Sequence, residues 1–129
     1  MDINFVDADH KAKYDAFCGM FGFNTSDRDY VLLFFLLASI ASERIITDLV
    51  VNEGDGIVGL RADALSHGWV TSGDAAIIRL AFHFFTYETP TANDMNGLKA
   101  YLPMNILTCL DRRLTVVALE SIRMFCYWC

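Results

Sequence analysis

Apolar residues recur three and four positions apart over much of the chain, which is the spacing of amphipathic helices. The first such segment follows Asp7, whose carboxylate can cap a helix N-terminus, and stops at Gly22. Its apolar positions are Tyr14, Phe17, Cys18 and Phe21. A second segment begins at Ser26 or Asp27, and its apolar pattern continues to about Val51. These two segments predict a first helix and a long central helix.

The run from Tyr30 to Ala41 is apolar on every side, which is typical of a fully buried helix. As a helix it rises only about 18 Å, too short for a hydrocarbon core of about 30 Å. We therefore expect this run to be the centre of a bundle and not a membrane span. Because it is apolar all round, we expect either a monomer or a homodimer that hides part of it.

Turn residues separate the central helix from the middle of the chain. Asn52 to Gly56 reads as a turn, Ile57 to Leu60 as a short edge strand at most, and Ala62 to His67 as a short helix closed by Gly68. Thr71 with Asp74 three residues later resembles a capping box at the start of another helix.

The C-terminal part divides into a loop and a last helix. Tyr87 to Met104 lacks periodicity and reads as a long loop, and Asp111 then caps the last helix. The apolar face of that helix comprises Leu114, Val117, Ala118, Ser121, Ile122 and Phe125. The predicted fold class is all-α: one domain over residues 1–129, a bundle of about five helices around a buried central helix.

Composition and charge narrow the classes of protein. The chain has 129 residues, 54% of them hydrophobic and 20% charged, which excludes intrinsic disorder. Its net charge of −6 opposes binding to phosphate backbones, so we expect no direct nucleic-acid contact. The first ten residues are acidic and lack the basic and apolar regions of a signal peptide, which favours a cytoplasmic location.

The cysteines suggest one metal site. Cys126 and Cys129 have the spacing of two zinc ligands, and the predicted zinc set is completed by Cys109 and His10. The alternative is that Cys18 and Cys109 are small core residues and that the terminal pair is incidental. A redox role fits less well, because the pair lies at a helix C-terminus, where the dipole disfavours thiolates.

Catalytic motifs are absent from the sequence. It contains no Gly-x-Ser-x-Gly elbow and no phosphate-binding Gly-Lys loop, so we expect no enzyme. Trp69 and Arg79 are interpreted as structural, with Arg79 paired to an acid such as Asp48. The other interpretation makes Trp69, Thr71 and Arg79 a recognition surface, since tryptophan and arginine are common at binding hot spots.

Several segments together resemble an uncharacterised family of small proteins carried by plasmids, conjugative elements and prophages of Firmicutes. The most specific block is Gly68-Trp69-Val70-Thr71 followed by Arg79-Leu80-Ala81-Phe82. The remaining matching positions are Phe5, Asp7, His10-Lys11, Arg44-Ile45, Asp48-Leu49, Ile57, Ile106 and Cys109. His83 departs from the family pattern, in which an amide residue is expected. The resemblance carries over no catalytic site, so it supplies a setting and not a mechanism.

The resemblance implies a protein of a mobile element in a bacterial host, and such proteins often act in counter-defence. We therefore expect an anti-CRISPR inhibitor that binds a type II CRISPR effector nuclease and blocks guide or target loading. An acidic face can compete with phosphates for the basic channel of such a nuclease. The candidate partner-binding acids lie in or beside predicted loops: Asp55, Asp63, Glu88 and Asp94. The alternative is a zinc-stabilised structural or regulatory module of the element's own replication or transfer machinery.

Overall fold

Helices and one β-hairpin make up the part of the chain that the computed structural model describes, which is residues 2–54, 57–86 and 108–128. The α-helices there are α1 (Ala8–Phe21), α2 (Arg28–Ala38), α3 (Ser72–Thr86) and α4 (Arg112–Tyr127). The strands are β1 (Val50–Gly54) and β2 (Ile57–Leu60). Two short 3-10 helices, Ile46–Asp48 and Ala64–Ser66, flank the hairpin. The architecture is mixed α/β and mostly helical.

Helix caps form where the sequence predicts them. An aspartate carboxylate accepts a backbone N–H at the start of three helices: Asp7 for α1, Asp27 for α2 and Asp111 for α4. Each bond satisfies an amide that has no partner inside the helix. These predicted helix starts are confirmed.

The capping box of α3 and the end of α1 are also confirmed. The Thr71 hydroxyl accepts the Asp74 N–H at 3.1 Å, and the Asp74 carboxylate accepts the Thr71 N–H at 3.0 Å. Gly22 ends α1 with a φ of 61° and donates its N–H to the carbonyl of Cys18 at 3.0 Å. Only glycine adopts this left-handed conformation without strain.

The core is built around α2. Every residue from Val31 to Ala38 is at most 1% exposed, and α1, α3 and α4 all pack against this helix. The Phe34 ring stacks on Phe23 and Phe21 with centroid separations of 4.6 and 4.9 Å. The predicted buried central helix is confirmed, and a single chain already covers its apolar surface.

The prediction of an all-α bundle of about five helices is wrong, because β1 and β2 form a hairpin and the described ranges hold four α-helices. α2 ends at Ala38 and not near Val51. Both the N–H and the hydroxyl of Ser39 donate to the carbonyl of Leu36, at 3.1 and 2.6 Å, which closes the helix with a tighter turn. Farther along the chain, Val50 and Val51 are β-branched, which favours the extended backbone that they adopt in β1.

β1 pairs antiparallel with β2, and the register places Val51 opposite Gly59. The Val58 N–H donates to the hydroxyl of Tyr30 at 3.3 Å, which ties the hairpin to α2. The edge strand that the sequence leaves open at Ile57–Leu60 is present as β2, whereas its partner β1 is missed. The predicted short helix at residues 62–67 is reduced to the 3-10 turn Ala64–Ser66. The predicted loop over residues 87–104 lies outside the described residues.

The helices can also be compared with the thickness of a bilayer. Within the described ranges, none combines the length and the apolar character that crossing a membrane requires.

Candidate functional site

His10 lies fully buried between residues 2–7, which we call the N-terminal segment, and α2. Its Nδ1 accepts the Val6 N–H at 3.2 Å, and its Nε2 lies 2.7 Å from the carbonyl oxygen of Phe35. Because Nδ1 accepts a bond, we assign the proton to Nε2, which donates to Phe35. This carbonyl is available because Ser39 bonds to Leu36 and not to Phe35. Burial lowers the pKa of His10, so the neutral ring is the form held in the core.

Arg113 joins three helix ends beside this histidine. Its Nε donates to the Asp7 carboxylate at 2.9 Å, and its Nη1 donates to the carbonyl of Ser39 at 2.8 Å. The hydrogen bond from Arg113, together with the His10 N–H, lowers the pKa of Asp7 to about 2. The arrangement links the start of α1, the end of α2 and the start of α4. Both partners of Arg113 lie within the chain, so this side chain stabilises the fold.

The predicted zinc set is not assembled among its described members. Both ring nitrogens of His10 already have partners inside the chain. Cys109 and Cys126 are exposed, and Cys129 lies outside the described residues. Within residues 2–54, 57–86 and 108–128, no group of three or more His, Cys, Asp or Glu side chains could hold a metal ion. Zinc binding by the cysteines stays a prediction.

A second tie holds the N-terminal segment against α4. The carboxylate of Glu120 accepts the Asn4 N–H at 2.9 Å and two bonds from Arg123, both at 2.7 Å. Arg123 also donates to the carbonyl of Asp2 at 2.7 Å. The bonds from Arg123 lower the pKa of Glu120, although the carboxylate is largely buried. This tie is not among the features predicted from the sequence, although the three-residue spacing of Glu120 and Arg123 was the available signal.

Trp69 has a structural contact, as its first interpretation predicts. Its indole N–H donates to the Asp48 carboxylate at 2.9 Å, so Asp48 serves Trp69 as a hydrogen-bond acceptor. The His67 ring lies between two carboxylates: Nδ1 is 3.7 Å from Asp48, and Nε2 is 3.9 Å from Asp63. This group joins the turn before β1 to the turn before α3.

Only one of the predicted partner-binding acids lies in the described ranges. Asp63 begins the 3-10 turn after β2, and its carboxylate accepts a bond from Arg61 at 3.1 Å, which lowers its pKa. Asp55, Glu88 and Asp94 lie outside the described residues. The structure therefore describes no continuous acidic surface built from this set.

Exposed apolar side chains concentrate on α4. Of the six large hydrophobic residues exposed in the described ranges, four lie on this helix: Val116 at 48%, Leu119 at 57%, Ile122 at 37% and Tyr127 at 62%. We call these four residues the α4 face. Beside it, α4 and the N-terminal segment enclose a groove of about 490 Å³. The groove is lined by Asn4, Phe5, Val6, Val116, Leu119, Glu120 and Arg123.

The α4 face differs in charge from the chain as a whole. α4 carries three arginines and a single acid, Glu120, which is 9% exposed and bonded to Arg123. Arg112 is exposed at the start of the helix. The sequence pattern places Ile122 on the buried side of α4, and this is wrong because Ile122 is exposed. The three-residue spacing of Val116 and Leu119 was the signal for this second apolar stripe.

Comparison with known proteins identifies a family and no characterised relative. No curated protein and no solved structure matches the chain significantly. The model of the DUF6075 family, a family of unknown function, matches residues 1–126. The match covers α1 to α4 and the hairpin, and the resemblance to an uncharacterised family is confirmed. This chain therefore belongs to the DUF6075 family of unknown function.

Proposed function

We propose that this chain is a binding protein that contacts another protein through the α4 face. The observation that carries the proposal is the concentration of exposed apolar side chains on one helix, beside an open groove. Apolar residues gathered on one surface of a soluble domain are typical of interaction sites. Tyr127 and Arg112 are residue types that are enriched at binding hot spots.

The internal hydrogen bonds of the polar groups near the N-terminus support a role in binding more than one in catalysis. His10 has both ring nitrogens bonded inside the chain, and Asp7 and Glu120 are held by arginines. A general base needs a free lone pair within reach of a substrate, and the one basic lone pair of the neutral His10 ring already accepts the Val6 N–H. The proposal therefore contains no catalytic step.

In its specific form, the partner is a type II CRISPR effector nuclease in a bacterial cytosol, and the chain blocks guide or target loading. The resemblance to proteins of mobile elements and the net charge of −6 support this form. Asp63, with Asp55, Glu88 and Asp94, supplies candidate contacts to the basic channel. The α4 face supplies the apolar contacts that anchor the complex.

A cleavage assay tests the specific form. A panel of type II effectors, each loaded with guide RNA, is incubated with excess protein before target DNA is added. We expect the wild type to inhibit at least one effector and Leu119→Asp to inhibit it at least tenfold less. Met20→Asp is the matched control, since Met20 is 43% exposed but lies on α1. Unchanged cleavage across the panel would remove the nuclease as the partner.

A quantitative capture assay tests the general form separately. Lysate of a Firmicute host is passed over the immobilised tagged protein. The captured proteins are identified, and the molar amount of each is compared with that of the tagged protein. We expect a near-stoichiometric partner that Leu119→Asp loses and Met20→Asp retains. A partner captured equally by both variants would refute the α4 face as the contact surface. Circular dichroism of each variant checks that the fold is intact.

A further inference from the structure

We infer that an acidic amphipathic helix of the protein partner docks along the exposed side of α4, with its carboxylates on Arg112 and Arg123. The inference rests on the proposed function, because it names the chemistry of the segment that the α4 face receives. Purified chain and synthetic peptides can test it before any partner is identified.

The exposed side of α4 carries two apolar residues between two arginines. Arg112, Val116, Leu119 and Arg123 follow one another at spacings of four, three and four residues, and all four are exposed. Because each residue turns a helix by about 100°, these four side chains leave α4 within about 60° of one another. We call these four residues the α4 row. Its two arginines are about 16 Å apart along the helix axis, with the apolar pair between them.

The α4 row is positively charged, although the net charge of the chain is −6. The single acid of α4, Glu120, is 9% exposed, and its carboxylate already accepts bonds from Asn4 and Arg123. Asp111 precedes the helix, lies about 100° away from Arg112 around the axis, and accepts the Leu114 N–H. An acidic partner is therefore complementary in charge to this row.

Both arginines of the α4 row keep donors for a further carboxylate. Within residues 2–54, 57–86 and 108–128, no group forms an ion pair or a hydrogen bond with the Arg112 side chain. Arg123 uses Nε and Nη2 for Glu120 and Asp2, which leaves Nη1 without a bond. Bonds from a guanidinium to a carboxylate are stronger than bonds between neutral groups, so these donors favour an acidic ligand.

The apolar centre of the row lies beside a groove whose far wall is already in place. Val116 and Leu119 form one wall of the groove of about 490 Å³, and Phe5 and Val6 of the N-terminal segment form the other. That segment is held by the Asn4 bond to Glu120 and by the Val6 bond to His10. A groove of this kind receives the apolar side chains of an amphipathic helix.

The spacing of the row specifies the complementary helix. The partner needs two acids with two apolar residues between them, at the same spacings of four, three and four residues. This order reads the same from either end, so the acids meet the arginines in a parallel or an antiparallel pair. One helix buries less than the ~800 Å² per partner of a typical stable complex, so we expect a dissociation constant of about 100 μM.

Peptide binding followed by fluorescence anisotropy tests the inference. The acidic peptide is an alanine-based helix of about 16 residues, internally cross-linked, with Glu, Leu, Leu and Glu at these spacings. The lysine peptide carries Lys in place of both Glu residues. We expect the acidic peptide to bind at least tenfold more tightly than the lysine peptide, and more weakly as salt rises. No saturable binding of the acidic peptide at about 1 mM protein, or equal binding of both peptides, would overturn the inference.

Arg112→Glu tests the charged contact. An acid is favourable in the first turn of a helix, so this variant keeps the fold, and circular dichroism checks it. We expect it to bind the acidic peptide about fivefold more weakly than the wild type. Arg44→Glu is the matched control, because it changes the net charge equally and Arg44 is exposed in the turn after α2. Equal weakening by both variants would assign the effect to net charge and refute the contact.

A charge exchange gives a gain of binding at the same position. Two mixed peptides each carry Lys in place of one of the two Glu residues, at opposite ends of the sequence. One of them should bind Arg112→Glu more tightly than the acidic peptide does, since its lysine meets the introduced carboxylate. The end that carries this lysine reports the orientation of the bound helix. No gain with either mixed peptide would refute the contact at Arg112.

Two other anionic ligands are outcomes of the same assay. The net charge of −6 opposes binding to phosphate backbones and to anionic lipid surfaces, and the groove is concave. We therefore expect little binding to vesicles of phosphatidylcholine and phosphatidylserine or to a single-stranded DNA oligonucleotide. Tighter binding to either of these than to the acidic peptide would overturn the inference.

The outcomes distinguish this inference from the proposed function. If Leu119→Asp loses inhibition or the captured partner while no acidic peptide binds the wild type, the acidic helix is refuted and the α4 face remains the contact surface. If the acidic peptide binds through Arg112 while inhibition and capture survive Leu119→Asp, the proposed function of the face is refuted and the preference for an acidic helix stands.

Discussion

Replacing His10 with phenylalanine removes two hydrogen bonds and keeps an aromatic ring in the core. The His10 ring packs edge-on to Phe5 and tilted against Phe35, with centroid separations of 5.2 and 4.6 Å. Phenylalanine preserves this packing but neither accepts the Val6 N–H nor donates to the Phe35 carbonyl. The substitution therefore isolates the energetic role of the ring nitrogens.

The expected loss arises from the two groups left without partners. The Phe35 carbonyl is buried, and a buried polar group without a partner costs about 1–3 kcal/mol. The Val6 N–H is only partly buried, so its cost lies toward the lower end of that range. Together we expect His10→Phe to reduce the free energy of unfolding by about 2–4 kcal/mol, a large part of the total for a domain of this size.

Urea unfolding followed by tryptophan fluorescence and circular dichroism measures this loss. With an m-value of about 2 kcal/mol per M, the middle of the usual range for small proteins in urea, the midpoint should fall by about 1–2 M. His67→Phe is the control, because the His67 nitrogens lie 3.7 and 3.9 Å from their nearest carboxylates and the ring is partly exposed. We expect this control to change stability by less than about 1 kcal/mol. A His10→Phe loss no larger than that of the control would refute the reasoning.

The remaining predictions concern acid, helix ends and the core. Burial lowers the pKa of His10 from its usual value near 6.5, so below pH 6.5 the unfolded chain binds a proton that the folded chain does not. Wild-type stability should therefore fall as pH drops from about 6.5 through the lowered pKa, and the urea midpoint of His10→Phe should fall less between pH 7.5 and 5. Gly22→Ala should cost about 1 kcal/mol because φ is 61° there, whereas Gly19→Ala, inside α1 with no atom near the added carbon, should gain about 0.5–1 kcal/mol. Thr71→Ala should cost about 1 kcal/mol through loss of the capping box, and Ser72→Ala, one residue later, should cost much less; thermal unfolding of the pair measures the difference. Phe34→Ala should cost about 3–5 kcal/mol in urea unfolding, since its ring is fully buried against Phe21 and Phe23, and a loss below 1 kcal/mol would contradict the stacked core.

The candidate site could be predicted only in part. His10 and Asp7 stand out in the sequence, but as a zinc ligand and a helix cap, and their link through Arg113 joins residues 106 positions apart. No local pattern encodes such a pairing, because it depends on how three helix ends meet. The α4 face was missed for a related reason. Both stripes of that helix carry apolar residues, and only packing decides which stripe is covered.

The sequence alone determined the local features of this protein: the caps at Asp7, Thr71 and Asp111, the stop at Gly22, and the burial of the apolar run of α2. Each depends on side chains and backbone within a few residues, so each can be read from short spacings. The tertiary structure alone decided that residues 50–54 form a strand. A strand needs a partner, and the apolar and β-branched run before Asn52 fits a helix pattern until β2 supplies the opposing backbone.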